Sequence, residues 1–411
     1  MIRRRHVYHL AGYDPIDAPA QFRRFGRQLQ IFQRTWGVEA DLAEMQASED
    51  GTRASWRVRA RASNWQVECV HELLLWDDIV RSDFAQPTFR RMTKGLRAYF
   101  DFFVSGTVFR YIVANQRYAL FFLFPLFQLA VLAAGAGLFA ALVNRIAGVT
   151  GSAAMILGFG VGALVLGGLL KWVGPRWRLQ QALDDWIFAS NYLYGHRPDV
   201  DARLERFAEA LVARAAAGEV DEIVVVGHSL GATLALDLLE RSLARDPAFT
   251  QRGASVSLLT IGATIPKFAL HPRAERIRRT IARVVAEPTL HWAEYQSRDD
   301  AISFYKFDPV SLKRIDDDRL NGKPVIRRVQ IHDMLHAATF ARYRRRFLRL
   351  HYQSVMANEK HAPYDYFLMV CGPVPFPQWT RSPAGLIDFI SPDGAYRGPL
   401  PDMNVSQVSV T

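Results

Sequence analysis

Hydrophobic and polar positions along the chain follow two periods in turn. Residues 6–11 form a short apolar run that stops at Gly12-Tyr13-Asp14-Pro15, which predicts a strand followed by a turn. Residues 21–36 then place Phe22, Phe25, Leu29, Phe32 and Trp36 on one stripe at helical spacing. Residues 54–62 alternate, and residues 66–76 give a second strand candidate ending in Trp76-Asp77-Asp78. An amphipathic helix is expected over 204–217. After it come a continuous apolar strand over 221–226 (DEIVVV), a helix over 232–244, and strands over 255–261, 289–295 and 325–331. A long basic helix is expected over 339–356. Strand–helix alternation of this kind predicts an α/β fold with an open, mostly parallel sheet covered by helices.

Two stretches depart from that pattern. Every residue in 118–144 is uncharged, and so is every residue in 146–170. Each exceeds the roughly 20 apolar residues needed to cross a hydrocarbon core of about 30 Å. A buried hairpin in a soluble core is the competing reading, and two adjacent runs of this length disfavour it. A transmembrane hairpin inserted in a crossover is therefore expected. Arg90, Arg91, Lys94, Arg97, Arg110 and Arg117 precede it and Lys171, Arg176 and Arg178 follow, whereas the connecting turn holds only Arg145. That asymmetry predicts the inner (cytoplasmic) membrane, with both termini and the polar bulk of the chain cytoplasmic. Gly158 and Gly162 form a small-xxx-small pair suited to close packing within the hairpin. The expected organisation is a sheet domain in two parts, 1–105 and 176–372, with the hairpin insertion at 106–175. A Pro/Gly-rich loop and tail is expected over 373–411.

Composition narrows the class. Of 411 residues, 50% are hydrophobic, and 51 Lys and Arg against 40 Asp and Glu leave a net charge of +11. Disorder, a collagen-like repeat and a disulfide mini-protein are excluded. Only Cys69 and Cys371 are present, which favours a reducing compartment. Arg3, Arg4 and Arg5 resemble the start of a secretory signal, but the following residues are too polar for one. The positive charge carries no nucleic-acid recognition motif, so no nucleic-acid partner is expected. The run Arg342, Arg344, Arg345, Arg346, Arg349 reads as a solvated helix face, or as one lying on anionic headgroups. No metal-binding or nucleotide-binding spacing occurs, so neither metal nor cofactor is expected.

The candidate chemistry lies at Gly227-His228-Ser229-Leu230-Gly231. A bare G-x-S-x-G is weak, but here an apolar strand runs into it and an apolar helix runs out, the context of a nucleophile elbow. Ser229 would sit on a sharp turn that side chains at Gly227 or Gly231 would obstruct. The backbone N–H of Leu230, at the helix start, would be an oxyanion donor.

With GHSLGA after a hydrophobic strand, the chain resembles the α/β-hydrolase superfamily of serine esterases and lipases. More narrowly, it is similar to uncharacterised proteobacterial membrane hydrolases of that fold. The resemblance rests also on Ala11-Gly12-Tyr13-Asp14-Pro15, Leu75-Trp76-Asp77-Asp78, the two-span insertion, Tyr295-Gln296-Ser297-Arg298 and Tyr364-Asp365-Tyr366. It implies an acid and then a histidine, each following a later strand. Asp299 or Asp300 fits the acid; Asp300 is preferred because Ala301-Ile302 turns back into the fold. His332, at the end of strand 325–331, is the expected base. Its rivals are His336 and His351, the latter on the order of 20 Å along the expected helix. Gly12 and Tyr13, in the loop after the first strand, would supply the second oxyanion donor. The implied activity is that of a membrane-anchored serine hydrolase cleaving carboxylic esters, with lipid or acyl esters favoured by the anchor. The lipid bilayer and an ester or acyl substrate are the expected partners. An acyltransferase using the same triad, and a non-catalytic membrane scaffold of this fold, are the alternatives.

Overall fold

The computed structural model describes residues 1–400; the last part of the expected tail, from 401 on, lies outside the described residues. The chain divides into two compact units. One comprises Met1–Arg81 and the chain from Arg197 onward, the other Ser82–His196.

The first unit is α/β. Its strands are β1 (Arg4–Leu10), β2 (Glu39–Leu42), β3 (Gln46–Ala47), β4 (Arg53–Ala62), β5 (Trp65–Leu74), β6 (Glu222–His228), β7 (Ser255–Ile261), β8 (His291–Ser297), β9 (Phe307–Asp308), β10 (Lys313–Arg314) and β11 (Val325–Val329). Among the described residues one mixed sheet has the order β11-β8-β7-β6-β1-β5-β4-β2, with β3 paired to β4. Every neighbour pair from β11 to β5 is parallel, whereas β4 runs antiparallel to β5, β2 and β3.

Sequence pattern explains the layering. All seven residues of β6 are buried, as a central strand covered on both faces requires. Each fully buried Val or Ile there contributes about 1.5–3 kcal/mol. In β4 burial alternates, because Ala54, Trp56, Val58 and Ala60 point inward and Arg57 and Arg59 meet solvent. The helix Ala18–Trp36 covers that inner face with Phe25, Leu29, Phe32 and Trp36. Asp17 caps its N-terminus by accepting from Ala20 N, and Gly37, at φ 63°, ends it.

Three features depart from the sequence-based expectations. The helix expected over 339–356 is two helices, Ala337–Tyr343 and Phe347–Gln353, interrupted at residues 344–346. Arginines at i, i+3 and i, i+4 repel one another by a few tenths of a kcal/mol per pair in a continuous helix. The break also allows Leu350, His351 and Gln353 to be buried. The second departure is in the segment expected to be loop and tail. From Val374 to Ile390 it buries Val374, Phe376, Trp379, Leu386, Phe389 and Ile390 in the core. Its tether is Arg5, a fully buried guanidinium that bonds Glu222 Oε2 (2.7 Å) and the carbonyls of Met369, Gly372 and Val374. The third concerns the surroundings of the expected insertion at 106–175: the compact unit that contains it, Ser82–His196, also includes helices on either side. Cys69 and Cys371, remote in sequence, are both buried as free thiols; contact with Cys69, together with burial, pushes the Cys371 thiol up.

The second unit is helical: Thr88–Val104, Thr107–Ala114, Gln116–Ile146, Gly151–Trp172 and Leu179–Leu193. Gln116–Ile146 and Gly151–Trp172 are long and apolar enough to cross a membrane. Pro125 lies within the first without ending it. Gly158 and Gly162 face that helix: a Cβ on Gly162 would lie 3.7 Å from Ala140 Cβ, and one on Gly158 would crowd Asn144.

Candidate active site

The turn between β6 and the helix Gly231–Arg245 is held in a conformation that few residues adopt. Ser229 has φ 57°, the left-handed region that costs an L-residue about 1–2 kcal/mol. Its neighbours have no room for side chains. A Cβ on Gly227 would meet Ala232 Cα at 2.5 Å, and one on Gly231 would collide with the carbonyl oxygens of Leu10 and Ala11. Backbone bonds fix the strained residue on both sides, Ser229 N donating to Ile261 O (3.1 Å) and Thr264 N to Ser229 O (3.2 Å). Ser229 is half-buried while His228 and Leu230 are buried. Leu230 has helical dihedrals ahead of the first helical residue, where backbone N–H groups lack intrahelical acceptors.

The loop after β1 closes directly on the serine. A Cβ on Gly12 would lie 3.0 Å from Ser229 Cβ and 3.4 Å from its Oγ, so only glycine lets this backbone come so near. Asp14 N donates to Gly12 O (2.8 Å), tightening the turn. The Tyr13 ring stands 5.9 Å from that of Trp76, and Trp76 Nε1 donates to Ala11 O. Gly12 thus approaches Ser229 directly and Leu230 adjoins it, while the Tyr13 ring turns to Trp76.

Of the two candidate acids, Asp300 meets a histidine. It is 2% exposed, and its Oδ2 lies 2.7 Å from His351 Nδ1. Its Oδ1 accepts from Ile302 N (2.9 Å), so both oxygens are held. Asp299 instead accepts from Ile331 N at the start of a short helix. His351 is 3% exposed, and its Nε2 is buried with no hydrogen-bond partner among the described residues. The imidazole lies over the end of β7. A Cβ on Gly262 would be 3.0 Å from Asp300 Oδ2 and 3.3 Å from His351 Cε1. Gly262 directly follows Ile261, whose carbonyl holds Ser229 N.

His332 does not join this group. Its side chain is about half exposed, with Nε2 3.2 Å from Asp333 Oδ1, and its ring stands edge-on to Phe340. His336 is exposed and precedes the helix Ala337–Tyr343, its N–H donating to Glu359. The expectation of His332 as the partner of Asp300 is therefore corrected to His351. A separation on the order of 20 Å holds only along one straight helix, and the chain is interrupted at 344–346 between Ala337–Tyr343 and Phe347–Gln353.

Three further contacts were not anticipated from sequence. The His228 ring packs on the His351 ring with centroids 4.6 Å apart, and its Nε2 lies 3.2 Å from His351 O. Burial, aided by the nearby His351, holds the His228 imidazole well below its ordinary range, so it is neutral and donates to that carbonyl. The Tyr352 hydroxyl donates to Asp14 Oδ2, linking the histidine's helix to the loop after β1. Nearby, His9 pairs with the Tyr366 hydroxyl (2.8 Å), and burial, then Arg24, pushes its imidazole down to about 3. A cavity of about 30 Å³ lies there among His9, Arg24, Phe25, His71 and Tyr366. It has room for about two waters, too little for an acyl chain.

Among the described residues no group of three or more His, Cys, Asp or Glu is arranged to hold a metal ion. No family model, curated protein or solved structure matches the chain.

Proposed function

We propose that the chain is a membrane-anchored serine hydrolase of the α/β-hydrolase type, cleaving carboxylic esters through an acyl-enzyme. The observation that carries this reading is the buried Asp300–His351 pair at Gly262, one residue after the Ile261 carbonyl that accepts from Ser229 N, with Ser229 at φ 57° on a strand–helix turn and His351 Nε2 left without a partner among the described residues. Strand order supports it as well. The elbow follows β6, the acid follows β8 and the histidine comes after β11, giving the sequence Ser, Asp, His.

In this mechanism His351 Nε2 takes the Ser229 Oγ proton as Oγ attacks the ester carbonyl. Asp300 accepts from Nδ1–H, which leaves Nε2 as the basic nitrogen and favours the imidazolium once it forms. Backbone N–H groups of Leu230 and of Gly12 or Tyr13 receive the developing oxyanion. Collapse breaks the ester C–O bond, and the His351 proton goes to the leaving alcohol. Water then attacks the acyl-serine by the same route, giving the free acid and regenerating Ser229. Anchoring keeps the site at a membrane, which favours esters that partition into lipid.

Ser229→Ala should abolish covalent labelling by a fluorophosphonate and lower ester hydrolysis by about 10⁴-fold or more. Labelling that persists in the variant places the nucleophile elsewhere. A folded wild-type protein that never labels would favour the non-catalytic scaffold.

A further inference from the structure

The helices that precede the hairpin carry a surface that the hydrolase reading does not use. At about 100° per residue, the helix Thr88–Val104 has three distinct faces. Arg91, Gly95, Tyr99 and Phe102 face inward within their unit. There Gly95 closes on Leu183, Arg91 pairs with Asp184, and Phe102 and Tyr99 meet Trp186. Phe89, Leu96, Phe100 and Phe103 lie within about 60° of one another on a second face, all exposed, Phe89 at 82% and Phe100 at 69%. Arg90, Lys94 and Arg97 occupy a third face beside it, exposed and without an ion pair among the described residues. The short helix Thr107–Ala114 repeats the arrangement, with Phe109 at 66% and Val113 at 74% exposure.

Scattered apolar residues on a surface need no explanation, but a contiguous stripe flanked by cations does. Its position decides what covers it. Only Ser105 and Gly106 separate the two helices, and only Asn115 separates the second from the membrane-length helix Gln116–Ile146. Asn115 Oδ1 caps that helix by accepting from Arg117 N (3.0 Å) and Tyr118 N (3.1 Å). The helices that carry the apolar stripe therefore join the membrane-length helix with no slack in the chain.

We infer that Thr88–Val104 and Thr107–Ala114 lie in the plane of the membrane interface, a shallow collar that binds an anionic phospholipid surface. The phenylalanine stripe enters the acyl boundary and Arg90, Lys94 and Arg97 reach the headgroup phosphates. This rests on the reading that the hairpin spans a bilayer.

The test is spin-label accessibility in the full chain, reconstituted in vesicles of phosphatidylcholine with phosphatidylglycerol. Single substitutions Phe100→Cys, Phe109→Cys and Val113→Cys probe the collar, Leu138→Cys and Leu164→Cys the hairpin, and Arg206→Cys an exposed aqueous face. These positions are exposed, and native Cys69 and Cys371 are buried. Collar labels should be severalfold more accessible to oxygen relative to a water-soluble nickel complex than the Arg206→Cys label, and shallower than the hairpin labels. Collar labels as water-accessible as the control, with lipid-exposed hairpin labels, would overturn the collar alone. Hairpin labels in water would overturn the spanning reading and the collar with it. Collar labels shielded from both reagents would mean that protein, not lipid, covers the stripe, which also refutes the inference. In vesicles of phosphatidylcholine alone the Phe100→Cys label should sit shallower; an unchanged depth would remove the anionic component.

Discussion

Gly262 offers a sharp test of whether the Asp300–His351 pair serves Ser229. It has φ 53°, and a methyl group there would stand 3.0 Å from Asp300 Oδ2 and 3.3 Å from His351 Cε1. Gly262→Ala has two separable consequences. The left-handed backbone conformation costs alanine about 1–2 kcal/mol, lowering stability. The methyl group must also displace a buried carboxylate and imidazole by a few tenths of an ångström. Since about 1 Å of misplacement costs about 100-fold in rate, a shift of a few tenths of an ångström should slow fluorophosphonate labelling of Ser229 by about fivefold. Gly253→Ala supplies the control, because Gly253 has φ 98° with nothing within 4 Å of its added Cβ. It carries the backbone strain without the crowding, so it should lose stability and keep the wild-type labelling rate. If Gly262→Ala labels as fast as Gly253→Ala while both remain folded, the pair does not act on Ser229 and the proposed triad is wrong.

The choice of base predicts a contrast: His351→Ala should abolish labelling by loss of the proton acceptor, whereas His332→Ala should leave the rate within about twofold, as for an exposed surface residue. Burial pushes Glu294 up to about 8 from an ordinary value of 4.5, against the hydrogen bonds from Gln296 and Thr260. The folded chain then holds a proton that the unfolded chain has already released, so this contribution to stability is full below about pH 4.5 and is lost as pH rises through about 8. Stability of the wild type relative to Glu294→Gln should therefore fall across that window by up to about 1.4 kcal/mol per pH unit; a difference in denaturation free energy independent of pH would contradict the assignment. For topology, reporter fusions after Gly195 and at the C-terminus should read cytoplasmic and one at Gly148 external, and the opposite pattern would invert the orientation.

The parts legible in the sequence were those decided locally. A continuous apolar run identified β6, because a strand covered on both faces needs nothing else. The turn at Ser229 was legible because an apolar strand runs into Gly227-His228-Ser229-Leu230-Gly231 and a helix runs out, and Gly227 is crowded by Ala232, although what crowds Gly231 comes from Leu10 and Ala11. The position of Asp300 followed from the loop after β8. The histidine that pairs with Asp300 was not legible, since its placement depends on an interrupted helix. Helix periodicity runs through 344–346 without a proline or glycine to mark a stop, and it is the burial of Leu350 and His351 that makes the interruption favourable. Gly262 gave no signal either, because what crowds it comes from residues 300 and 351. The C-terminal segment was misread for a similar reason: its prolines and glycines look like linker chemistry, and the carbonyls that Arg5 gathers are invisible without the fold.

The central position of β1 has a consequence for how the chain is made. Its register pairs Arg5–Leu10 with Glu222–Gly227 on one side, so one edge stays open until β6 has left the ribosome. At about 5–20 residues per second, the intervening chain takes on the order of 10–40 s to synthesise. Both membrane-length helices emerge within that interval. An unpaired, apolar strand edge is an aggregation hazard, and this one waits longest while the nascent chain is free to diffuse. If the two long apolar helices enter a membrane, their place between β5 and β6 puts that entry before the sheet can close. The order of elements thus sets a sequence of events in biogenesis: both long apolar helices emerge first, then the parallel sheet is completed, and with it the serine turn.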